Sequence, residues 1–282
     1  MGRDSTSKAP MTGTALTMTS WAKVIDSYAA VPEIYQETLR SLLRERQAFP
    51  RVVFAPVLTG VQHKTTEKLI FEMNKTLYVL ERIDGQVTPY AYPFDAICDI
   101  EVGNILLYSW ITVRGVTQEG AVRATPIEFN ATSSRHFAPF VAKFRPRPST
   151  DPQALREKKS AFSDLAAESF KFMNYARSSL ISGEKVLQTL WQPEIQEKIL
   201  PWLRLPFARI IATTHLTILT DKELILIRED KRSSKKNRAR YGGVWHYIPL
   251  RSIASVSVRQ NAANRLLLSI GLTSAGHVDR IF

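Results

Sequence analysis

From residue 51 onward the apolar positions fall in short runs bounded by turn-forming residues, the pattern of β-strands. Runs at 52–54, 69–71, 77–80, 90–94, 97–102, 106–114 and 126–129 predict about seven strands, with Asn74-Lys75 and Asp84-Gly85 as turns between them. Phe137, Phe140, Val141 and Phe144 then take up helical spacing over 134–144. Short strands followed by one helix outline a small barrel or sandwich plugged by its last element. A second series of runs follows at 186–191, 215–220, 224–228, 245–249, 253–259, 265–272 and 277–282. Upstream, 21–47 reads as helix in one or two pieces, with Ile34, Tyr35, Thr38, Leu39, Leu42 and Leu43 on one face. Between the two series, Asp151-Pro152 is a good helix start and Gly183 a good stop. Leu155, Phe162, Leu165, Ala166, Ser169, Phe170, Met173, Ala176 and Leu180 draw an apolar stripe along the single long helix this predicts.

The two series are copies. Pro93-Phe94-x-x-Ile97-x-x-Ile100-x-Val102 matches Pro249-Leu250-x-x-Ile253-x-x-Val256-x-Val258. Upstream of each, Asn74-Lys75-Thr76-Leu77-Tyr78-Val79-Leu80 matches Asp221-Lys222-Glu223-Leu224-Ile225-Leu226-Ile227. The offset between copies grows from 147 to 156 residues because the second carries a longer loop. The organisation expected is an α+β chain: a disordered tail at 1–20, an N-terminal helix at 21–48, one β-domain at 50–145, a linking helix at 151–182 and a second β-domain at 183–282. The second copy carries no counterpart of the 134–144 helix, so the linking helix, a partner chain or further sequence is expected to plug it.

Composition narrows the setting. With 282 residues the chain is comfortable for two small cores. No apolar run reaches the roughly 20 residues of a membrane-spanning helix, and the start has no signal-peptide character. The single cysteine, Cys98, fits a reducing, cytoplasmic setting, peripheral to a membrane where it meets one. The net charge of +12 is unevenly placed: 201–282 hold 14 Lys/Arg against five Asp/Glu, whereas 1–150 hold 17 against 14.

Gly183-Glu184-x-Val186, then Ala212-Thr213-Thr214-x-Leu216-x-Ile218-x-Thr220-Asp221-Lys222-x-Leu224-Ile225, then Ile248-Pro249-Leu250-x-x-Ile253-x-x-Val256 resembles the bacterial pleckstrin-homology-like domains and their GRAM relatives. The first copy matches in weaker wording, with Asn74-Lys75 at the turn. The resemblance implies two tandem bent β-barrels of about seven antiparallel strands, the first closed by its C-terminal helix. It also implies binding of lipid head groups, peptides or proteins, without catalysis or cofactor.

Two segments are candidate sites. Six of the ten residues 231–240 are basic, namely Lys231, Arg232, Lys235, Lys236, Arg238 and Arg240. Such a loop suits an anionic membrane, an acidic protein or nucleic-acid phosphate; a solvated hairpin loop is the plain alternative. In 199–209, Trp202 and Phe207 flanked by Arg204 and Arg209 suit a membrane interface, against core packing as the commoner use. His63, His136, His215, His246 and His277 are scattered singly, and no phosphate-loop, dinucleotide or nucleophile-elbow motif occurs. The reading is a non-enzymatic adaptor that touches anionic lipid or an acidic partner through the second copy. Its rivals are an oligomerisation scaffold, self-associating through the helices or the open second barrel, and a nucleic-acid-associated protein using the same loop.

Overall fold

The computed structural model describes residues 21–43, 48–59, 64–154, 156, 161–198, 208–230, 242–260, 265–273 and 276–281. The chain is α+β, built mainly of antiparallel sheet. After β1 (Lys23–Ile25) and α1 (Glu33–Leu42) come β2 (Val52–Ala55), β3 (Lys68–Met73), β4 (Thr76–Ile83) and β5 (Gln86–Pro93). β6 (Ile97–Ile105), β7 (Tyr108–Val116), β8 (Val122–Asn130) and α2 (Ala138–Phe144) complete the first copy. Short α3 (Leu165–Glu168) and α4 (Phe170–Ser179) lead to β9 (Val186–Gln192), β10 (Ile195–Lys198) and β11 (Ala208–Ala212). The second copy continues with β12 (His215–Thr220), β13 (Glu223–Arg228), β14 (Gly243–Pro249), β15 (Ile253–Gln260), β16 (Leu266–Leu272) and β17 (Gly276–Ile281).

The copies share hydrogen bonds as well as wording. The Phe94 amide donates to Lys75 O and the Leu250 amide to Lys222 O, each at 3.0 Å. Thr76 faces Pro93 as Glu223 faces Pro249. A single 3-10 turn follows each proline, Phe94–Ala96 and Leu250–Ser252, and the next strand is irregular at the same place, between Ile97 and Asp99 and between Ile253 and Ser255. Each copy is thus one antiparallel meander, a proline corner, and a second meander.

The two expected barrels do not close among the described residues. The first meander ends in a five-stranded sheet, β1-β2-β3-β4-β5, and β6 leaves it for a seven-stranded sheet ordered β8-β7-β6-β14-β13-β12-β9. β15-β16-β17 form a separate sheet, and β10 pairs with β11. The reason lies in β5. The pairing of Ile83 with Gln86 closes a two-residue turn, so Gln86, Thr88 and Tyr90 bond to β4 while Pro89 and Ala91 face the open edge. Pro89 has no N–H to offer there, and Gln118 already occupies the Ala91 carbonyl at 2.9 Å. In β14 the matching residues are Trp245 and Tyr247, which pair with Val102 and Ile100 of β6. The edge that the first copy blunts is the edge the second copy uses to join it.

Side chains fasten that join. Glu101 Oε2 lies 2.7 Å from His246 Nε2 and accepts from Arg228 at 3.2 Å, while Trp110 Nε1 donates to Glu101 Oε1 at 2.7 Å. Burial pushes the Glu101 carboxyl up, but His246, Trp110 and Arg228 outweigh it and hold it well below the usual carboxylate range. Trp110 also explains Gly103, where an added Cβ would lie 2.0 Å from the indole.

The helices differ most from expectation. Among the described residues the predicted N-terminal helix is α-helical over Glu33–Leu42, with a 3-10 turn at Tyr28–Ala30, and Lys23–Ile25 pairs with β2 as a strand. Asp151 does cap a helical turn, accepting from the Gln153 amide at 3.0 Å, but no single long helix runs to Gly183. Ser169 is extended (φ −161°, ψ 103°) and its hydroxyl accepts from the Phe172 amide, so α4 starts afresh there and ends at Ser179. The restart moves the buried stripe to Phe172, Met173, Ala176 and Ser179 and leaves Phe170 67% exposed.

α4 also reveals a longer repeat. Tyr35 and Leu39 of α1 belong to one core with Leu69, Phe71, Tyr78 and Leu80. Phe172 and Ala176 of α4 belong to one core with Leu216, Ile218, Ile225 and Ile227, the same four positions in the second copy. Each copy is therefore preceded by a ten-residue helix packed on the outside of its first meander. Cys98 is buried in a third core with Leu224, Leu226, Ile248, Ile270, Leu272 and Val278.

Candidate functional site

β6 and β7 close through the pair Ile105–Tyr108, so Leu106 and Leu107 form the tip of a tight hairpin. Both are open to solvent, 67% and 59% exposed. Leu106 also has φ +55°, the left-handed region that suits glycine or asparagine and costs other residues on the order of 1–3 kcal/mol. The Ala131 amide donates to Leu107 O at 2.8 Å and holds the tip in place. Neither leucine gains burial in return for its exposure or strain. Folding gives no reason for them.

The tip lies beside the point where the basic segment rejoins the fold. That segment falls between Asp230 and Gly242, and Lys231, Arg232, Lys235, Lys236, Arg238 and Arg240 lie outside the described residues. Its two ends are fixed. Arg228 bridges to Glu101, and Glu229 pairs with Lys171 at 2.7 Å, which occupies an acid next to the cations. Gly242, at φ +84°, passes so close to β6 that an added Cβ would lie 1.9 Å from Asn104 O and 3.0 Å from Ile105 Cα. Asn104 and Ile105 immediately precede the leucine tip.

Behind the tip is a cavity of about 720 Å³ between the copies. Val102, Ile111, Phe129, Val141, Leu180 and Trp245 make it apolar, Asn104 and Gly242 border it towards the tip, and Arg145 borders it elsewhere. The Ser109 hydroxyl on its wall is buried without a hydrogen-bond partner.

Arg145, just past α2, donates through Nε to Glu223 Oε1 at 3.1 Å, through a second nitrogen to the same carboxylate, and to Ser179 O at 2.6 Å. Its guanidinium stacks 3.8 Å from the Tyr247 ring centroid. Burial pushes the Tyr247 hydroxyl up to about 12 despite Arg145, so the ring stays neutral. Glu184 sits in the same cluster and accepts from the Ile181 amide at 2.8 Å. Burial first, and then the Glu223 carboxylate, push the Glu184 carboxyl up to about 7 from 4.5. Within that window the folded chain holds a proton that the unfolded chain has released. Stability from this group is therefore greatest at the acidic end and falls as pH rises from about 4.5 to 7. Glu184→Gln is expected to flatten this part of a thermal-unfolding series against pH and to raise Tm above neutrality; an unchanged slope would contradict the assignment.

Of the remaining sequence-predicted residues, Trp202, Arg204 and Phe207 lie outside the described residues, while Arg209 is exposed on β11 opposite Glu197. Glu197 itself pairs with Arg265 at 3.0 Å. His215 and His246 are both buried but sit on β12 and β14 with β13 between them, and do not meet. The leucine tip was missed because 106–114 reads as continuous strand. Gly103-Asn104, the turn-forming pair between the runs at 97–102 and 106–114, draws the expected break to 103–105, just upstream of the tip itself. No helix among the described residues is long and apolar enough to cross a membrane. Comparisons of the chain with protein-family models, with curated proteins and with solved structures return no match.

Proposed function

We propose that this protein is a non-enzymatic adaptor that docks on anionic membrane surfaces, with two pleckstrin-homology-like halves as its frame. One observation carries the reading: two exposed leucines, one in a conformation leucine rarely adopts, stand next to the entry of a segment with six basic residues in ten. The leucines enter the acyl boundary while the cations meet lipid phosphates, the usual division of labour at a membrane interface. A nucleic-acid ligand would use the same charges but leaves the leucines without a role, so the lipid reading is favoured over it.

Sedimentation of the full chain with vesicles tests this. Binding is expected to phosphatidylcholine vesicles containing phosphatidylserine and not to phosphatidylcholine alone. Leu106→Asn with Leu107→Ser is expected to weaken binding by about tenfold or more, since each buried leucine is worth about 1.5–3 kcal/mol. The same variant should unfold at an equal or higher temperature, because asparagine tolerates the left-handed turn. Full binding by this variant, or a gel shift with nucleic acid in place of vesicle binding, would refute the proposal.

A further inference from the structure

The cavity between the copies is built on the seven-stranded sheet. Phe129, Ser109 and Asn104 lie in one row across β8, β7 and β6, and Ile111, Val102 and Trp245 in the next row across β7, β6 and β14. Both rows line the cavity and form its floor. Residues of α2 and α4 make its sides. Phe140 and Phe144 of α2 belong to the core, whereas Ala138 and Ala142, one turn apart, line the cavity and are exposed, as is Ser178 of α4. The cavity therefore opens between the two helices past small side chains and deepens towards the sheet. Protein interiors leave few voids larger than a water molecule, and about 720 Å³ is no packing flaw. It falls within the range of about 300–1,000 Å³ that small-molecule sites occupy.

The polar groups of the walls narrow the ligand. Ser109 is 2% exposed, and its hydroxyl, on the cavity floor, has no hydrogen-bond partner. Buried polar groups are normally paired, and a hydroxyl can serve a donor or an acceptor. Among the described lining residues Arg145 alone is charged, and it is already bonded to Glu223 and Ser179 O. A carboxylate or ammonium brought to the floor would be buried without a counter-charge, at high cost. We infer that this cavity binds an uncharged single-chain lipid: an aliphatic chain whose one hydroxyl or carbonyl oxygen bonds to Ser109. The oxygen lies deepest, and the chain runs along Ile111, Val141 and Trp245 towards the mouth. The inference does not rest on membrane docking, because neither the leucine tip nor the basic segment takes part in it.

The uncharged fluorophore N-phenyl-1-naphthylamine, titrated into the full chain, reports occupancy, and dodecanol is the competitor. Saturable probe binding is expected, with dodecanol displacing it. Dodecanoate should compete about tenfold or more less well, since its charge finds no partner at the floor. Ser109→Ala should weaken dodecanol by about fivefold, the worth of one net hydrogen bond, and leave dodecanoate unchanged. The same variant should melt at an equal or higher temperature, because it removes a buried hydroxyl without a partner. Ala142→Trp should close the mouth and weaken the probe about tenfold or more, with little change in Tm at so exposed a position. Equal competition by alcohol and carboxylate would make the cavity an unselective apolar sink and overturn the inference. So would probe binding that fails to saturate or survives Ala142→Trp, dodecanol binding indifferent to Ser109→Ala, or a lower Tm for that variant. Sedimentation with phosphatidylserine vesicles should be the same for both variants as for the wild type, so failure here and failure of the membrane reading are told apart.

Discussion

Arg145→Ala is expected to cost about 3–5 kcal/mol of folding stability, measured by urea unfolding at neutral pH, the range seen when one member of a buried ion pair is removed. Glu223 is fully buried and Arg145 nearly so. Truncating the arginine strands a buried carboxylate beside Glu184, whose carboxyl burial first, and then Glu223, already push up. The same change frees Ser179 O at the end of α4 and uncovers the Tyr247 ring. One side chain thus holds the end of the first copy's closing helix, the start of β13, and the helix packed on the second copy. Arg145→Lys keeps the charge but not the fork of donors, and is expected to fall between wild type and alanine. Arg145→Met combined with Glu223→Leu should recover much of the loss, because the penalty is an unpaired buried charge and not the absence of a bond. A loss below about 1 kcal/mol for Arg145→Ala would mean water reaches Glu223 and the cluster is no lock.

That lock was invisible in the sequence, although the frame it closes was not. The turns at Asn74 and Asp221, the corners at Pro93 and Pro249 and most of the strand runs depend on residues within a few positions of each other and appear where the pattern puts them, whereas β1, β10 and β11 lie where it puts no strand. Helix lengths were misjudged because an apolar stripe at helical spacing does not show whether the backbone stays continuous. Ser169 is an ordinary residue within such a stripe until its hydroxyl caps the next turn. The pairing of β6 with β14 joins residues some 140 positions apart and turns on what the competing edge lacks, an N–H at Pro89. Local patterning carries no such information. The hairpin tip failed for the opposite reason: local preference argues against a turn at two leucines, and the structure overrides it. Places where residue choice contradicts local preference are where function is to be sought.

The largest effect on binding is expected when Lys231, Arg232, Lys235, Lys236, Arg238 and Arg240 are all changed to glutamine. Each cation near an acidic bilayer contributes up to about 1 kcal/mol, so losing six should reduce partitioning onto phosphatidylserine vesicles by roughly a thousandfold or more. The loss should accumulate charge by charge, because the attraction is to a diffuse surface potential and not to one stereospecific pocket. Salt separates it from the leucine contribution. Raising ionic strength from low to physiological values shortens the screening length from about 30 to 8 Å. The wild type should therefore lose affinity steeply and the glutamine variant hardly at all, while the leucine-tip variant should keep the full salt slope from a weaker start. Folding should be indifferent to the six changes, since the chain on either side is held by Arg228, Glu229 and the close passage of Gly242. If a single substitution abolished binding while the other five had no effect, the segment would be a specific pocket for one phosphate, and the diffuse electrostatic contact argued for this surface would be wrong.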